Sequence, residues 1–238
     1  LVYDDREKKA LLQDSARIEK PSDQLVLQSA SLTYHEKTKT SVFETPVKIQ
    51  RKEAEIEGEK GQYKEKEDLI ELTGGVSYHE KKKKRVIRGQ KLFSAKEKDQ
   101  KIFVFQEEVE VQDGDFQGFC QQLDYLEEQE VITLKGQARL ADPKKDLEIE
   151  SGVIAIDQKK DQIYFLGTVS IRQKDKMISG GMGVYDRKTS SIIVQGNPSY
   201  RKGQDTARAE RIVLNTDTNE VRMMGNFQGS FKPEEKER

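Results

Sequence analysis

Alternating runs of apolar and polar residues recur about every 30 residues along this chain. Each is centred on a small or turn-forming residue: Asp14, Thr45, Gly74, Glu107, Gly136, Gly167, Gly196 and Gly225. Self-similarity at that spacing constrains the fold more than any other feature, because each repeat is one supersecondary unit that can bury its apolar face only against its neighbours. In "IYFLGTVSIRQ" the apolar positions Ile163, Phe165, Val169 and Ile171 fall on one parity around Gly167. A period of two lines one face of a strand and turns the intervening polar residues to the other. The central glycines belong to the same parity, so they are predicted to point inward, where a missing Cβ permits a sharp bend without loss of parity.

Between these runs lies a second strand per repeat, as in "LEIESGVIAI", whose inward set is Leu147, Ile149 and Ser151, then Ile154 and Ile156. The change of parity at Ser151 assigns a β-bulge to this second strand. Charged or turn-rich stretches such as "KEKED", "DPKKD" and "NTDTN" separate the runs and suit short antiparallel connections. No 3.6-residue periodicity runs far enough to supply the helical crossover of a parallel sheet. The expectation is an all-β, elongated body of about sixteen bent antiparallel strands in two facing layers, built from eight repeats. It forms one domain over residues 1–231, followed by a charged tail at 232–238.

Composition narrows the function. The 238 residues are 36% charged and 34% hydrophobic, with 42 basic against 43 acidic side chains mixed along the whole length. Such a balance gives no basic field to draw in nucleic acid. Cys120 is the only cysteine, so the chain has no intramolecular disulfide or thiolate metal framework. No apolar run approaches the roughly 18–20 residues of a spanning helix. The sequence begins at Leu1 rather than Met, in mid-pattern, and the expectation drawn from this is an exported chain from which a signal or anchor has been removed.

Three stretches, "GVYDRKTSSIIVQGNPSYRK", "VIAIDQKKDQIYFLGTVSIRQ" and "GQYKEKEDLIELTGGVSYHE", share the order small residue, Tyr or aliphatic, charged turn, aliphatic-x-aliphatic-x-Gly and alternating strand. In this the chain resembles the OstA-like family of lipopolysaccharide-transport proteins over residues 1–231, most closely its LptA type and more loosely the periplasmic parts of LptC and LptD. The resemblance implies a twisted β-jelly roll of about sixteen strands, open along one side, that holds lipid acyl chains between its sheets. It further implies a periplasmic location in a Gram-negative cell, and head-to-tail docking through terminal strands to LptC-like and LptD-like partners or to further copies. The pattern carries no catalytic signature, and Glu107 stands where most repeats have glycine.

The candidate sites follow from the inward set. Phe43, Leu72, Phe103, Phe105, Leu134, Phe165, Val194, Met223 and Phe227 are the candidates for a lipid-binding groove, since acyl chains need apolar length rather than polar partners. The same residues would serve equally as ordinary core. The edge strands around Leu11 to Ile18, with Leu12 and Ile18 as candidates, and Val221 to Phe227 offer free backbone groups for strand addition, although the Lys and Glu residues nearby also guard such edges. The run Lys81, Lys82, Lys83, Lys84 and Arg85 reads as a solvated turn, or as a contact for anionic lipid phosphate. His35 and His79 lack the cysteine partners of a metal site and are expected at the surface. With no triad or phosphate loop, the sequence points to a non-enzymatic lipid carrier without cofactor, and otherwise to a β scaffold without cargo.

Overall fold

The computed structural model describes residues 1–97 and 100–231; the charged tail expected at 232–238 lies outside them. Among the described residues the chain is all-β and contains no α-helix, only strands, turns and three short 3-10 turns. The chain divides into two compact units, residues 1–114 with 121–128, and residues 115–120 with 129–238.

The first unit contains β1 (Val2–Asp4), β2 (Lys9–Lys20), β3 (Leu25–His35), β4 (Thr40–Phe43), β5 (Val47–Arg51), β6 (Ala54–Gly58), β7 (Lys60–Lys64), β8 (Leu69–Glu80), β9 (Arg85–Glu97) and β10 (Gln100–Asp113). The next strand, β11 (Phe116–Leu126), belongs to the second unit up to Cys120 and to the first from Gln121. The second unit continues with β12 (Val131–Asp142), β13 (Leu147–Asp157), β14 (Gln162–Gln173), β15 (Lys176–Asp186) and β16 (Ser191–Gln195). It closes with β17 (Ser199–Lys202), β18 (Asp205–Arg208), β19 (Arg211–Asn215), β20 (Val221–Met224) and β21 (Gln228–Ser230). Five of these twenty-one strands are second halves of a bent strand, namely β5, β7, β17, β19 and β21; of the sixteen that remain, fifteen are bent and the three-residue β1 is not, close to the count of about sixteen that the repeats predict.

How each strand bends is visible in its pairing. Strand β8 runs without a break, yet Leu69–Thr73 pairs with β7 whereas Ser77–Glu80 pairs with β6. In the second unit, β15 likewise pairs through Met182–Asp186 with β16 and through Lys176–Ser179 with β17. Within each unit the long strands therefore contribute one half to a front layer, with β4 and β7 in the first unit and β16 in the second, and one half to a back layer, with β5 and β6 in the first and β17 in the second. The apolar parity fills the space between the layers, the arrangement of a β-jelly roll. Tyr78 on the back half of β8 meets Phe103 on the front half of β10 with ring centroids 5.4 Å apart.

The corner itself departs from the sequence expectation in two ways. Seven of the eight central residues have φ between +60° and +85°, Thr45 being the exception, and six are followed by a second left-handed residue. In the β12–β13 ladder, Lys135 faces Val153 and Ala138 faces Ser151, so Gly136 and Gln137 together oppose Gly152. The surplus residue thus sits on the glycine-centred strand, not on the second strand to which the bulge was assigned. A parity change reports only that one strand has a residue more than its partner, and the left-handed pair shows which. The glycines expected to face inward accordingly lie on the outer side of the corner, Gly136, Gly167, Gly196 and Gly225 exposed and Gly74 partly so. Thr45 fixes its corner differently: its hydroxyl lies 2.7 Å from Ser29 Oγ and accepts from the Ser31 N–H at 3.3 Å.

Candidate functional site

The interior of each unit is the inward parity of its strands. In the first unit Phe43, Leu72, Phe103 and Phe105 are all buried, and in the second Leu134, Phe165 and Val194 are buried, Phe165 completely. These seven groove candidates lie inside the sandwich, packed as core between the layers. Met223 is half-buried. Phe227 does not continue the inward set: it falls in the break between β20 and β21, is 49% exposed, and stacks on Phe231 with centroids 5.9 Å apart. The left-handed Gly225 interrupts the strand here, and β21 resumes pairing only at Gln228.

Opposite the corner, the free ends of the two layers meet along a mouth crossed by polar bridges. In the first unit Arg51 at the end of β5 donates to Glu127 Oε2 at 2.7 Å, and Lys52 reaches the same oxygen at 3.3 Å. Lys20, ending β2 in the back layer, lies 3.2 Å from Asp68, which precedes the front half of β8. The front-layer Tyr125 hydroxyl donates to Glu80 at 3.3 Å and accepts from Lys83 at 3.5 Å. In the second unit Lys145, in the turn after β12, contacts Tyr185, Thr216 and Asp217 of the front layer at 3.1, 3.1 and 2.7 Å. Gln173 at the end of β14 donates to the Thr216 carbonyl at 2.8 Å.

Two buried cations anchor the first unit near its mouth. Lys101 is 2% exposed and donates to the backbone oxygen and the carboxylate of Asp68 at 3.0 and 3.1 Å. Burial by itself would raise the Asp68 pKa, but the charges of Lys101 and Lys20 outweigh it and hold the carboxyl below its ordinary value. The basic run 81–85 is not uniformly solvated. Lys81, Lys82 and Lys84 are exposed in the turn, whereas Arg85 is wholly buried, bonded to Asp113 and Glu80 and lying over the Tyr125 ring at 4.7 Å. Arg85 is the first residue of β9 and falls on the inward parity with Ile87; a charge count cannot see that register. Beside Lys101 a polar hollow of about 310 Å³ is lined by Arg51, Lys52, Lys96 and Lys101 with Asp23, Asp68 and Glu128.

The edge candidates Leu12, Ile18 and Val221 are half-buried. A short strand the sequence did not reveal, β1, covers Lys9–Leu11 of β2, so Leu12 to Ile18 lies beyond its reach. At the other end, among the described residues, β20 pairs only with β19 and β21 only with β18. His35 ends β3 and His79 is the penultimate residue of β8, and among the described residues no cluster of three or more His, Cys, Asp or Glu could hold a metal. No helix of the described residues is long and apolar enough to cross a membrane.

Sequence reasoning missed the mouth because Glu127 and Lys145 stand in charged turns that read as spacers, and Arg51 ends β5 beside another. Their signal is positional: each lies within two residues of a strand end.

A family model described as lipopolysaccharide-assembly, LptC-related, matches residues 22–142, half of the chain. Among solved structures the chain is similar to LptH, the LptA homologous periplasmic component of the conserved lipopolysaccharide transport device from Pseudomonas aeruginosa. The identity is 12% and the TM-score 0.46, over 50% of this chain and 95% of that one. No curated protein matches the sequence.

Proposed function

Since the chain belongs to the lipopolysaccharide-assembly, LptC-related family, we propose that it is a non-enzymatic periplasmic carrier that takes the acyl chains of lipopolysaccharide, or of a similar amphipathic lipid, between its layers. The observation that carries this reading is the pairing of an apolar interior with a mouth held by side chains alone. At the corner the layers are joined covalently by every bent strand, whereas the mouth is closed by side-chain bridges, of which the exposed ones, such as Lys52 to Glu127 and Lys145 to Asp217, contribute only about 0–1 kcal/mol each. An acyl chain gains roughly 0.8 kcal/mol per buried methylene, so several methylenes offset the loss of one bridge. Loading therefore opens the mouth, and the lysines and arginine around the polar hollow stand where the phosphates of a headgroup would follow the chains in.

A photo-reactive amino acid at Phe103 or Phe165, compared with Val104 and Tyr164 on the outer face, tests the reading with purified lipopolysaccharide as the probe. Cross-links at the inward positions are the expected result, formed several-fold faster at Phe103, in the same unit as the bridge, when Arg51→Ala and Glu127→Ala are combined. Labelling of the outer positions alone, or none while a known lipopolysaccharide binder is labelled in parallel, would leave the β scaffold without cargo as the better account.

The unpaired edges of β20 and β21, and of β2 beyond β1, support docking by strand addition to LptC-like and LptD-like partners or to another copy. Self-docking predicts a sedimentation coefficient that rises with concentration and falls back when proline replaces Met223 in β20, whose N–H points away from β19. A single coefficient across the whole range would exclude copies of this chain as occupants of its edges.

A further inference from the structure

The outer face of the front layer in the second unit is apolar in two adjacent rows, where the outer face of its back layer is largely charged. Across β13, β14 and β15, the row nearest the corner places Val153, Leu166 and Met182 side by side. One row further, Ala155, Tyr164, Val184, Ile193 and Val213 align from β13 to β19. Leu166 and Met182 are 51% and 50% exposed, Ile193 is exposed, and the rest are half-buried. By contrast, the outer face of the back layer in the same unit carries Arg139 and Arg172, both ion-paired to Glu148.

The sequence marks the same strands. "VIAI", "IYFL" and "IIV" are unbroken apolar runs rather than alternating ones, the pattern of strands covered on both faces. The sheet is built like the middle layer of three, and nothing among the described residues forms the third.

Size and charge select what covers it. Strands lie about 4.8 Å apart, so five of them give a strip roughly 20 Å long and, with two rows, about 10 Å wide. That footprint is far below the roughly 800 Å² per partner of a stable dimer, but it fits one apolar face of an α-helix of about 14 residues. The charged side chains in these two rows are all basic: Lys135 at one end, and Arg211 and Arg222 at the other, Arg222 being paired to the neighbouring Glu220 at 3.1 Å. In the next row Asp157 and Asp186 flank Gln162, which sets an anionic bilayer against the long side of the strip. We propose that this strip is a docking site for an amphipathic helix of a partner protein whose apolar face is flanked by acidic residues at its two ends. The site lies outside the lipid-carrying interior and stands independently of it.

The test uses the full chain and a fluorescent designed amphipathic helix of about 14 residues, leucine on one face, made with glutamate or with lysine at its ends. The glutamate version is expected to bind at least about tenfold more tightly (about 1.4 kcal/mol). Leu166→Glu with Met182→Glu should abolish binding without lowering the thermal midpoint, whereas Met177→Glu on the back layer should leave it intact. Arg211→Glu with Arg222→Glu should shift the preference to the lysine version. Equal binding of the two versions, or binding that survives Leu166→Glu with Met182→Glu, overturns the proposal. So does transfer of the same variant-sensitive binding to phosphatidylglycerol vesicles, or a dimer lost in that variant, since the strip would then belong to a membrane or to a second copy.

Discussion

Replacing Asp113 by alanine is expected to destabilise the protein by about 3–5 kcal/mol, because it strands a charge where water cannot reach. The Arg85 guanidinium has no exposed side-chain surface, and Asp113 accepts from both its Nε and an Nη at 3.3 Å. The remaining partner, Glu80, lies 3.0 Å away and also accepts from Tyr125, so it cannot satisfy the freed donors alone. Removing both charges together is a different perturbation. Arg85→Met with Asp113→Leu removes the desolvation cost of both ions and is expected to recover most of the loss. Urea denaturation of the three proteins at neutral pH reads the difference. A single variant within about 1 kcal/mol of the parent would mean that the guanidinium finds water or another acceptor, and the rigid anchoring of the mouth at Arg85 would have to be abandoned.

The second large effect concerns the corners. At Gly196 φ is +79°, and a Cβ would lie 2.9 Å from Gly181 Cα and 3.0 Å from Gly181 N, so both the conformation and the space require glycine. The two backbones are locked at this distance by the Gly181 N–H donating to the Gly196 carbonyl at 3.1 Å. At Gly167, φ is +75° but a Cβ would meet nothing within 4 Å. Gly167→Ala is therefore expected to cost only the left-handed penalty of about 1–2 kcal/mol. Gly196→Ala should cost that and a further 1–3 kcal/mol or so for the collision, because the obstructing atoms are backbone and cannot rotate away. Chemical denaturation of the pair isolates the steric part. Equal losses would show that the β15–β16 corner can spread, contrary to the close contact of Gly181 and Gly196.

What the sequence revealed is what period two encodes. Ile163, Phe165, Val169 and Ile171 fix one face of β14 whatever the rest of the chain does, and the same rhythm repeated eight times was enough to predict bent antiparallel strands and a buried inward set. Three kinds of information were not in that rhythm. The position of the surplus residue depends on backbone dihedrals at Gly136 and Gln137, which hydrophobicity does not report. The fate of Arg85 depends on register, since one residue earlier it would have been a fourth exposed cation of the turn. The bridges of the mouth join residues such as Arg51 and Glu127, 76 positions apart and in different repeats, and no local pattern links them. Phe227 illustrates a further limit. Its parity is inward, but the left-handed Gly225 interrupts the strand and pairing resumes only at Gln228, so the side chain turns out to solvent against Phe231.

The paired left-handed residues at the bends also set how such a chain can change length. Adding or removing one complete module of about 30 residues inserts a bend together with both of its arms, and every side chain downstream keeps its side of the sheet. Loss of a single position between a bend and the following loop exchanges greasy and wetted surfaces for the rest of that arm. Variation in the number of rungs is thus tolerated in whole steps, while small deletions inside a rung are selected against by the geometry alone.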